Sequence, residues 1–253
     1  MHYSLSIAIS TVILALTHGA ASREVPENVR SFYNRIVADG SCPNPLQGGF
    51  HSAQNDSNDF GYCHDEKTGV IYLQGQNGQL VNMDIDCDGT QGGAGEDGRC
   101  GDSNDTQSQT SFKDTVAGYG AGVEDLNAKV HSYVVFGNDG TSPSFNPQEY
   151  GIEPLSLMAV VCGEKLVYGV WGDANGNDGQ PLVGEASISL ATACYGKENI
   201  NGNAGHDEND VLYIAFPGGK AVPGAQGANW NPQSFEEFES SIETLGDELV
   251  ATL

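Results

Sequence analysis

Short apolar runs separated by glycine, asparagine and aspartate recur through the middle of this 253-residue chain. They lie at 133–136, 155–162, 166–171 and 211–216. Runs of about four to eight such residues between turn-forming residues are typical of strands, and several of them at short spacing indicate a barrel or a sandwich. The sequence therefore predicts a mostly β protein with a β-barrel-like core and a few peripheral helices, in a single domain over residues 22–253. A double-psi barrel is one form that this core could take.

Two segments have the spacing of amphipathic helices instead. Apolar residues from Val25 to Val37 recur at helical spacing, and Gly40 follows where a helix would end. The same spacing from Phe235 to Leu249, on an acidic background, predicts a second helix that packs across the barrel. Between these helices, residues 69–83 hold two strand-like runs around a glycine-rich turn, which predicts a β-hairpin.

The first 21 residues have the pattern of a secretory signal peptide. An apolar run from Leu5 to Leu16 is followed by small residues, and cleavage is expected near Ala21 and Ser22. This run is too short to cross a bilayer, and no later segment of the sequence has the length of a membrane helix. The sequence therefore predicts a secreted, extracellular protein with no membrane partner.

Six cysteines follow the leader, an even number that suits an oxidising compartment and up to three disulfides. They form no CxxC pair or Cys/His cluster at metal-ligand spacing. Their number does not fix the connectivity, and pairing of nearest neighbours is the working hypothesis: Cys42 with Cys63, Cys87 with Cys100, and Cys162 with Cys194. Two glycosylation sequons, at Asn55 and Asn104, lie in polar stretches and predict a glycoprotein with these sites in surface loops.

The chain is strongly acidic. It holds 34 Asp and Glu against 10 Lys and Arg, for a formal net charge of −24. Nucleic acid is excluded as a partner because phosphate binding needs a basic face, and an anionic membrane surface is disfavoured for the same reason. Two interpretations stay open: solubility of an extracellular protein, and attraction of a cationic substrate.

Two carboxylates in the segment 168–195 form the candidate catalytic pair. Asp173 follows an apolar run and precedes a turn rich in glycine and asparagine, which places it at a strand end. Glu185 precedes the small and apolar residues 186–191, which predict a helix with Glu185 in its first turn. Such a pair can act as general acid and general base. Turn chemistry at Asp173 and the helix dipole at Glu185 explain the same residues, so spacing alone leaves both interpretations open.

A segment with alternating aspartates resembles a calcium-binding loop. Asp84, Asp86 and Asp88 precede Gly89, and the segment that begins at Asp173 repeats part of this pattern. In both segments the twelfth position is glycine, where a calcium loop has a bidentate glutamate, so the sequence predicts no metal site. Nucleotide-binding and serine-hydrolase motifs are absent from the sequence, and no cofactor is expected. The three aspartates are expected to form either a cluster of negative charge or a self-capped turn.

Three segments carry a resemblance to a known family. They are Met83-Asp-Ile-Asp-Cys-Asp-Gly, Val167-Tyr-Gly-Val-Trp-Gly-Asp-Ala-Asn-Gly with the later Val-Gly-Glu-Ala-Ser-Ile-Ser-Leu-Ala, and Asp210-Val-Leu-Tyr-Ile-Ala-Phe-Pro-Gly. Through them, roughly residues 25 to 235 resemble the fungal chitosanases of glycoside hydrolase family 75. The resemblance implies an inverting endo-hydrolase of the β-1,4 bonds between glucosamine units of chitosan. It also implies that Asp173 and Glu185 are the essential carboxylates.

The implied substrate gives the acidic charge a chemical role. Chitosan is a polycation at mildly acidic pH, and carboxylates along a groove would attract it. Chitosan is the expected partner of a protein that acts as a monomer. Acidic and aromatic side chains are the expected substrate contacts, namely Asp84, Asp86, Asp88, Tyr168, Trp171, Asp178, Tyr195 and Asp207.

The roles of the two essential carboxylates follow from the implied mechanism. One carboxylic acid protonates the leaving oxygen while the other carboxylate activates water, with the two groups about 6.5–9.5 Å apart. Glu185 is assigned as the acid and Asp173 as the base. A helix dipole would favour the charged form of Glu185 and so oppose this assignment, which leaves an exchange of roles open. The alternative function is a non-enzymatic secreted β-barrel that binds wall polysaccharide or calcium.

Overall fold

The computed structural model describes residues 23–101, 103, 106–177 and 179–253. The predicted signal peptide, Asn104 of the second sequon and the candidate substrate contact Asp178 lie outside the described residues. The strands are β1 (Arg23–Glu24), β2 (Pro45–Phe50), β3 (Phe60–His64), β4 (Ile71–Gln74), β5 (Val81–Asp86), β6 (Tyr133–Asn138), β7 (Leu157–Cys162), β8 (Lys165–Asn175), β9 (Glu185–Ser187) and β10 (His206–Ala215). The α-helices are α1 (Glu27–Asp39), α2 (Lys113–Gly118), α3 (Ile188–Tyr195) and α4 (Phe235–Val250).

Six of these strands close into a ring. Around the ring, β8 pairs with β6, β6 with β9, β9 with β5, β5 with β10, β10 with β7, and β7 with β8 again. The pairs β6–β8 and β5–β9 are parallel and the other pairs in the ring are antiparallel. The prediction of a mostly β protein with a barrel-like core and a few peripheral helices is confirmed.

The strands β7 and β8 show why short apolar runs build this core. Every residue of β7 is buried, and so are residues 166–173 of β8. A strand that is covered on both faces needs apolar residues at successive positions, so its sequence is a continuous run and not an alternation. Outside the ring, β4, β3 and β2 continue the sheet from β10 as successive antiparallel strands.

Both predicted amphipathic helices are present. α1 is followed by Gly40 in the left-handed conformation, with φ of 74°, where glycine is favoured. α4 begins with Ser234 as its N-cap, whose side chain accepts a hydrogen bond from the backbone N of Glu237. This helix packs against β7 and β8, which confirms that it crosses the barrel.

The surroundings of Glu185 differ from the sequence prediction. Glu185 begins β9, which lies between β5 and β6, and α3 starts only at Ile188, with Ser187 as its N-cap. The expectation that Glu185 lies in the first turn of a helix is therefore wrong. Pairing with two ring strands holds this three-residue segment extended, and a segment so short gives no periodic signal of its own. Glu185 therefore precedes the N-cap of α3 by two residues and is not part of the helix.

The predicted hairpin over 69–83 is also wrong, although both of its strands exist. β4 and β5 do not pair with each other; both pair with β10, β4 near Ile214 and β5 between His206 and Val211. The two strands therefore follow one another along β10 instead of lying side by side.

All three nearest-neighbour disulfides are present, namely Cys42–Cys63, Cys87–Cys100 and Cys162–Cys194. The second closes a 13-residue separation in the loop after β5, and the third ties the end of β7 to the last turn of α3. Within the described ranges, no helix combines the length and the apolar character that crossing a membrane requires.

Candidate active site

A row of side chains crosses four adjacent strands of the ring. Val135 of β6 is the register partner of Asp173 on β8 and of Glu185 on β9, and Glu185 is in turn the partner of Asp84 on β5. The register of β6 against β8 shifts between Val134 and Val135, and the common face is shown by the cleft, which all four residues line. Asp173, Val135, Glu185 and Asp84 therefore form one row, with three carboxylates on one surface.

This row lines an open cleft with a volume of about 330 Å³. Six of the described residues that line it are Asp or Glu, and none of them is Lys or Arg. Because walls of low dielectric focus the field of like charges, such a cleft concentrates cations. The acidic lining consists of Asp84, Asp86, Asp88, Asp173, Glu185 and Asp207.

The register also sets the spacing of the candidate catalytic pair. Asp173 and Glu185 flank Val135 on either side, so their Cα atoms are two strand spacings apart, about 9.5 Å. Val135 lies between them in the cleft. The two strands that carry the pair therefore lie on either side of β6, and both residues line the cleft.

Asp173 is a buried carboxyl group whose two oxygens differ in their hydrogen bonds. Its Oδ1 accepts hydrogen bonds from Ser111 N at 3.0 Å, Ser111 Oγ at 2.5 Å and Ala174 N at 2.8 Å. No described residue donates to its Oδ2. Burial raises the pKa of Asp173 to about 6, against the lowering effect of these three hydrogen bonds. Asp173 is therefore placed to titrate under mildly acidic conditions, with its charge held on one side by fixed donors.

Asp84 and Asp207 form the other end of the acidic row. Asp84 accepts a hydrogen bond from Asn82 Nδ2 at 3.1 Å, and Asp207 is an exposed residue near the start of β10. Burial, and to a lesser degree the charge of Asp207, raises the pKa of Asp84 to about 6. The two side chains together offer negative charge to a cation at the cleft surface.

Asp86 and Asp88 lie deeper and join Asp173 in a second group. One carboxylate oxygen from each of the three residues lies within 4.8 Å of the others, and all three residues are buried. Burial and the charges of Glu185, Asp173 and Asp88, in that order, raise the pKa of Asp86 well above its usual value. Asp84 is not part of this group, so the alternating aspartates do not converge on one point as those of a calcium loop would.

Two of the predicted aromatic contacts are in the core. Tyr168 is fully buried under α4, where its hydroxyl donates to Asp247 Oδ1 at 2.8 Å. Trp171 is 3% exposed, and its Nε1 donates to the backbone oxygen of Asp173 at 2.8 Å. The prediction that these two rings stack on sugars is wrong, because neither of them has an exposed face. The apolar run of β8 that suggested them is a core strand.

The third predicted platform, Tyr195, lies at the end of α3 and does not line the cleft. Its ring stacks on the ring of His206 with 4.0 Å between the centroids. That face of Tyr195 is therefore covered by another side chain of the protein.

Several groups around the pair have no signal in the sequence. Ser111 reaches Asp173 from a segment 62 positions earlier, and Gln107 donates its backbone N to Asp88 Oδ1 at 2.6 Å. Both residues belong to a polar stretch that resembles any surface loop. Only the folded loop brings them to the carboxylates.

Comparison with known proteins gives one family. The family of fungal chitosanases of glycosyl hydrolase group 75 matches residues 83–252, a range that includes Asp84, Asp86, Asp88, Asp173, Glu185 and Asp207. An endo-chitosanase of Aspergillus oryzae is 44% identical over 258 residues, which cover 100% of this chain and 99% of that protein. Endo-chitosanase B of the same species is 45% identical over 243 residues, with 95% of this chain and 96% of that protein covered.

A third relative, an endo-chitosanase of Aspergillus fumigatus, is 44% identical over 241 residues, with 95% of this chain and 96% of that protein covered. Similarity at this level along whole chains, together with the match of the family over the acidic row, leaves one assignment. The chain belongs to the family of fungal chitosanases of glycosyl hydrolase group 75.

Proposed function

We propose that this protein is a secreted endo-chitosanase that hydrolyses β-1,4 bonds between glucosamine units by an inverting mechanism, with Asp173 and Glu185 as its catalytic pair. The observation that carries the proposal is the row in which these two carboxylates flank Val135 in an acidic cleft. The names of the relatives supply the substrate, and the placement of the two carboxylates on strands on either side of β6 supports the inverting mechanism.

Asp173 is the general base in this proposal. Three donors fixed on its Oδ1 favour the ionised carboxylate, and Oδ2 is the oxygen that would receive a proton from the attacking water. With a pKa of about 6, Asp173 is a stronger base than an ordinary carboxylate and is still ionised in part under mildly acidic conditions.

Glu185 is the general acid. It lies on the other side of Val135, and its register partner on β5 is Asp84. A negative charge on Asp84 opposes ionisation of Glu185, which suits a general acid that keeps its proton until the glycosidic oxygen takes it. The water that Asp173 activates then attacks the anomeric carbon from the opposite face of the sugar.

Two acidic residues at the surface of the cleft bind the ammonium groups of the substrate. Asp84 and Asp207 are the partners proposed for one glucosamine unit, since both line the cleft next to Glu185. A carboxylate distinguishes glucosamine from N-acetylglucosamine because acetylation removes the positive charge. The contact proposed at Asp178 stays a prediction.

Secretion and the monomeric state belong to the same proposal. Three disulfides are what a protein that folds in an oxidising compartment would form, and Asn55 of the first sequon is exposed. The signal peptide over residues 1–21 stays a prediction, which N-terminal sequencing of the secreted protein would test.

The proposed activity is tested on chitosan of low acetylation, with chitin of high acetylation as the matched neutral polymer. An endo-acting enzyme lowers the viscosity of chitosan before many reducing ends accumulate, and the neutral polymer is cut far more slowly. Binding of chitosan without new reducing ends would contradict the proposal and favour the non-enzymatic polysaccharide-binding barrel.

A further inference from the structure

Three buried carboxyl groups lie so close together that they cannot all be ionised at once. Oxygens of Asp86, Asp88 and Asp173 lie within 4.8 Å of one another. Like charges at this distance in a buried site push the pKa of at least one member upwards, so that one group stays protonated. At least one of the three carboxyl groups is therefore protonated while another is ionised.

The hydrogen bonds in the cluster indicate which member is neutral. Asp173 accepts three hydrogen bonds, and Asp88 Oδ1 accepts one from the backbone of Gln107. Asp86 accepts one hydrogen bond from Asp88 N at 2.6 Å and one from the hydroxyl of Tyr133, which is fewer than Asp173 accepts. Because donors stabilise the ionised form, Asp173 ionises more readily than Asp86.

The elements around Asp86 add no positive charge. The titratable groups that face it are Asp88, which follows β5, Asp173 on β8, Glu185 on β9 and Tyr133 on β6, whose hydroxyl donates to the backbone oxygen of Asp88 at 3.2 Å. Among the described residues that line the cleft there is no Lys, Arg or His. Nothing in this surrounding offsets a charge on Asp86.

We propose that Asp86 is a positioning residue that stays a neutral carboxylic acid while the enzyme works, and that its neutrality allows Asp173 beside it to remain the ionised base. Asp86 then acts through Asp173 and takes no proton from the substrate or from water. This inference rests on the proposed function, in which Asp173 is the base, and it assigns to Asp86 a role other than substrate binding.

The test is the substitution Asp86→Asn, which copies the shape of a neutral carboxylic acid and cannot ionise. If Asp86 is neutral in the parent, kcat/KM on chitosan stays within about tenfold of the parent, and the acidic limb of its pH profile stays in place. If Asp86 is ionised in the parent, its replacement removes a negative charge beside Asp173. The acidic limb then moves to lower pH by about one unit or more, which would overturn the proposal.

A melting comparison decides the same question without activity. A carboxyl group whose pKa is raised in the folded state has its full stability below the unfolded pKa of about 3.9 and loses it as pH rises through the folded pKa. Between pH of about 4 and about 8 the Tm of the parent should therefore fall relative to that of Asp86→Asn. The exposed control Asp39→Asn should follow the parent at every pH.

Parallel Tm curves for the parent and Asp86→Asn would overturn the proposal, as would a loss of activity above about a hundredfold in a folded Asp86→Asn protein. The failure of the proposed function is a different result, in which the parent releases no reducing ends from chitosan. The melting comparison still decides the protonation of Asp86 in that case.

Discussion

At the scale of single residues, the proposed activity depends on two carboxylates with different surroundings. Asp173 is buried with three donors on one oxygen, and Glu185 lies between strands that carry further acids. We expect Asp173→Asn and Glu185→Gln each to lower chitosan hydrolysis by about 10²- to 10⁴-fold, the usual contribution of a general acid or base. Reducing-end assays measure the loss, and unchanged Tm values show that the fold is intact.

The control for both substitutions is Asp39→Asn, at the exposed C-terminus of α1 and outside the cleft. It should keep the activity of the parent. Activity within about tenfold of the parent in either catalytic variant corresponds to less than about 1.4 kcal/mol of transition-state stabilisation, and would mean that the pair is assigned wrongly.

Ser111 gives a second prediction at this scale. Its hydroxyl donates to Asp173 Oδ1 and lowers the pKa of that carboxyl group. Ser111→Ala removes this donor and keeps the backbone donor, so the pKa of Asp173 rises further above about 6. Because a base works only when it is deprotonated, the acidic limb of kcat/KM should move to higher pH, by up to about one unit. An acidic limb that stays in place, or moves to lower pH, would show that Asp173 is not the base.

At the scale of elements, α4 shows how a helix fits the barrel. Gly246 lies over the ring of Tyr168, and a Cβ atom added there would come within 2.3 Å of the ring carbons. Alanine in a helix normally stabilises by about 1 kcal/mol relative to glycine, but here it would force the helix away from β8. We expect Gly246→Ala to lower the free energy of unfolding by about 1–3 kcal/mol, measured by urea denaturation.

Ser240→Ala, at an exposed position of the same helix, is the control and should change the free energy of unfolding by less than about 0.5 kcal/mol. A Gly246→Ala protein as stable as the parent would show that α4 does not sit on Tyr168 as closely as the structure has it.

The elements also show how far the sequence predicts this fold. Continuous apolar runs predict β7 and β8, and helical spacing predicts α1, which ends at Gly40, and α4, because these signals are local. The partners of β4 and β5 are not predictable in this way, since both strands pair with β10, which lies more than a hundred residues later. Likewise β9 is extended only because two ring strands hold it.

The sequence likewise predicts only part of the candidate site. Family motifs point to Asp173 and Glu185, but nothing in the sequence indicates that Val135 separates them or that Ser111 supports Asp173. Aromatic residues beside a catalytic motif suggest sugar stacking. Tyr168 and Trp171 are instead core residues, because the barrel strand that carries Asp173 buries its other side chains.

At the scale of the whole molecule, the charge of −24 and the acidic cleft act on the substrate together. Raising the salt from about 0.1 M to about 1 M shortens the Debye length from about 10 Å to about 3 Å. We expect KM for chitosan to rise severalfold over this range while kcat stays within about twofold, because salt screens binding more than the buried chemistry. Steady-state kinetics at fixed pH measure both parameters. A KM that does not respond to salt would exclude electrostatic attraction as the source of affinity.

The most direct test of the account follows the anomeric protons of the first products by NMR. If Asp173 and Glu185 stand on opposite sides of the bond with a water molecule between the sugar and the base, each cut of a β-1,4 bond first releases an α reducing end. The α signal should therefore rise before mutarotation restores the mixture, and it should be absent with Asp173→Asn. An initial β signal would contradict the account, because it would mean that the two carboxylates act through a covalent intermediate.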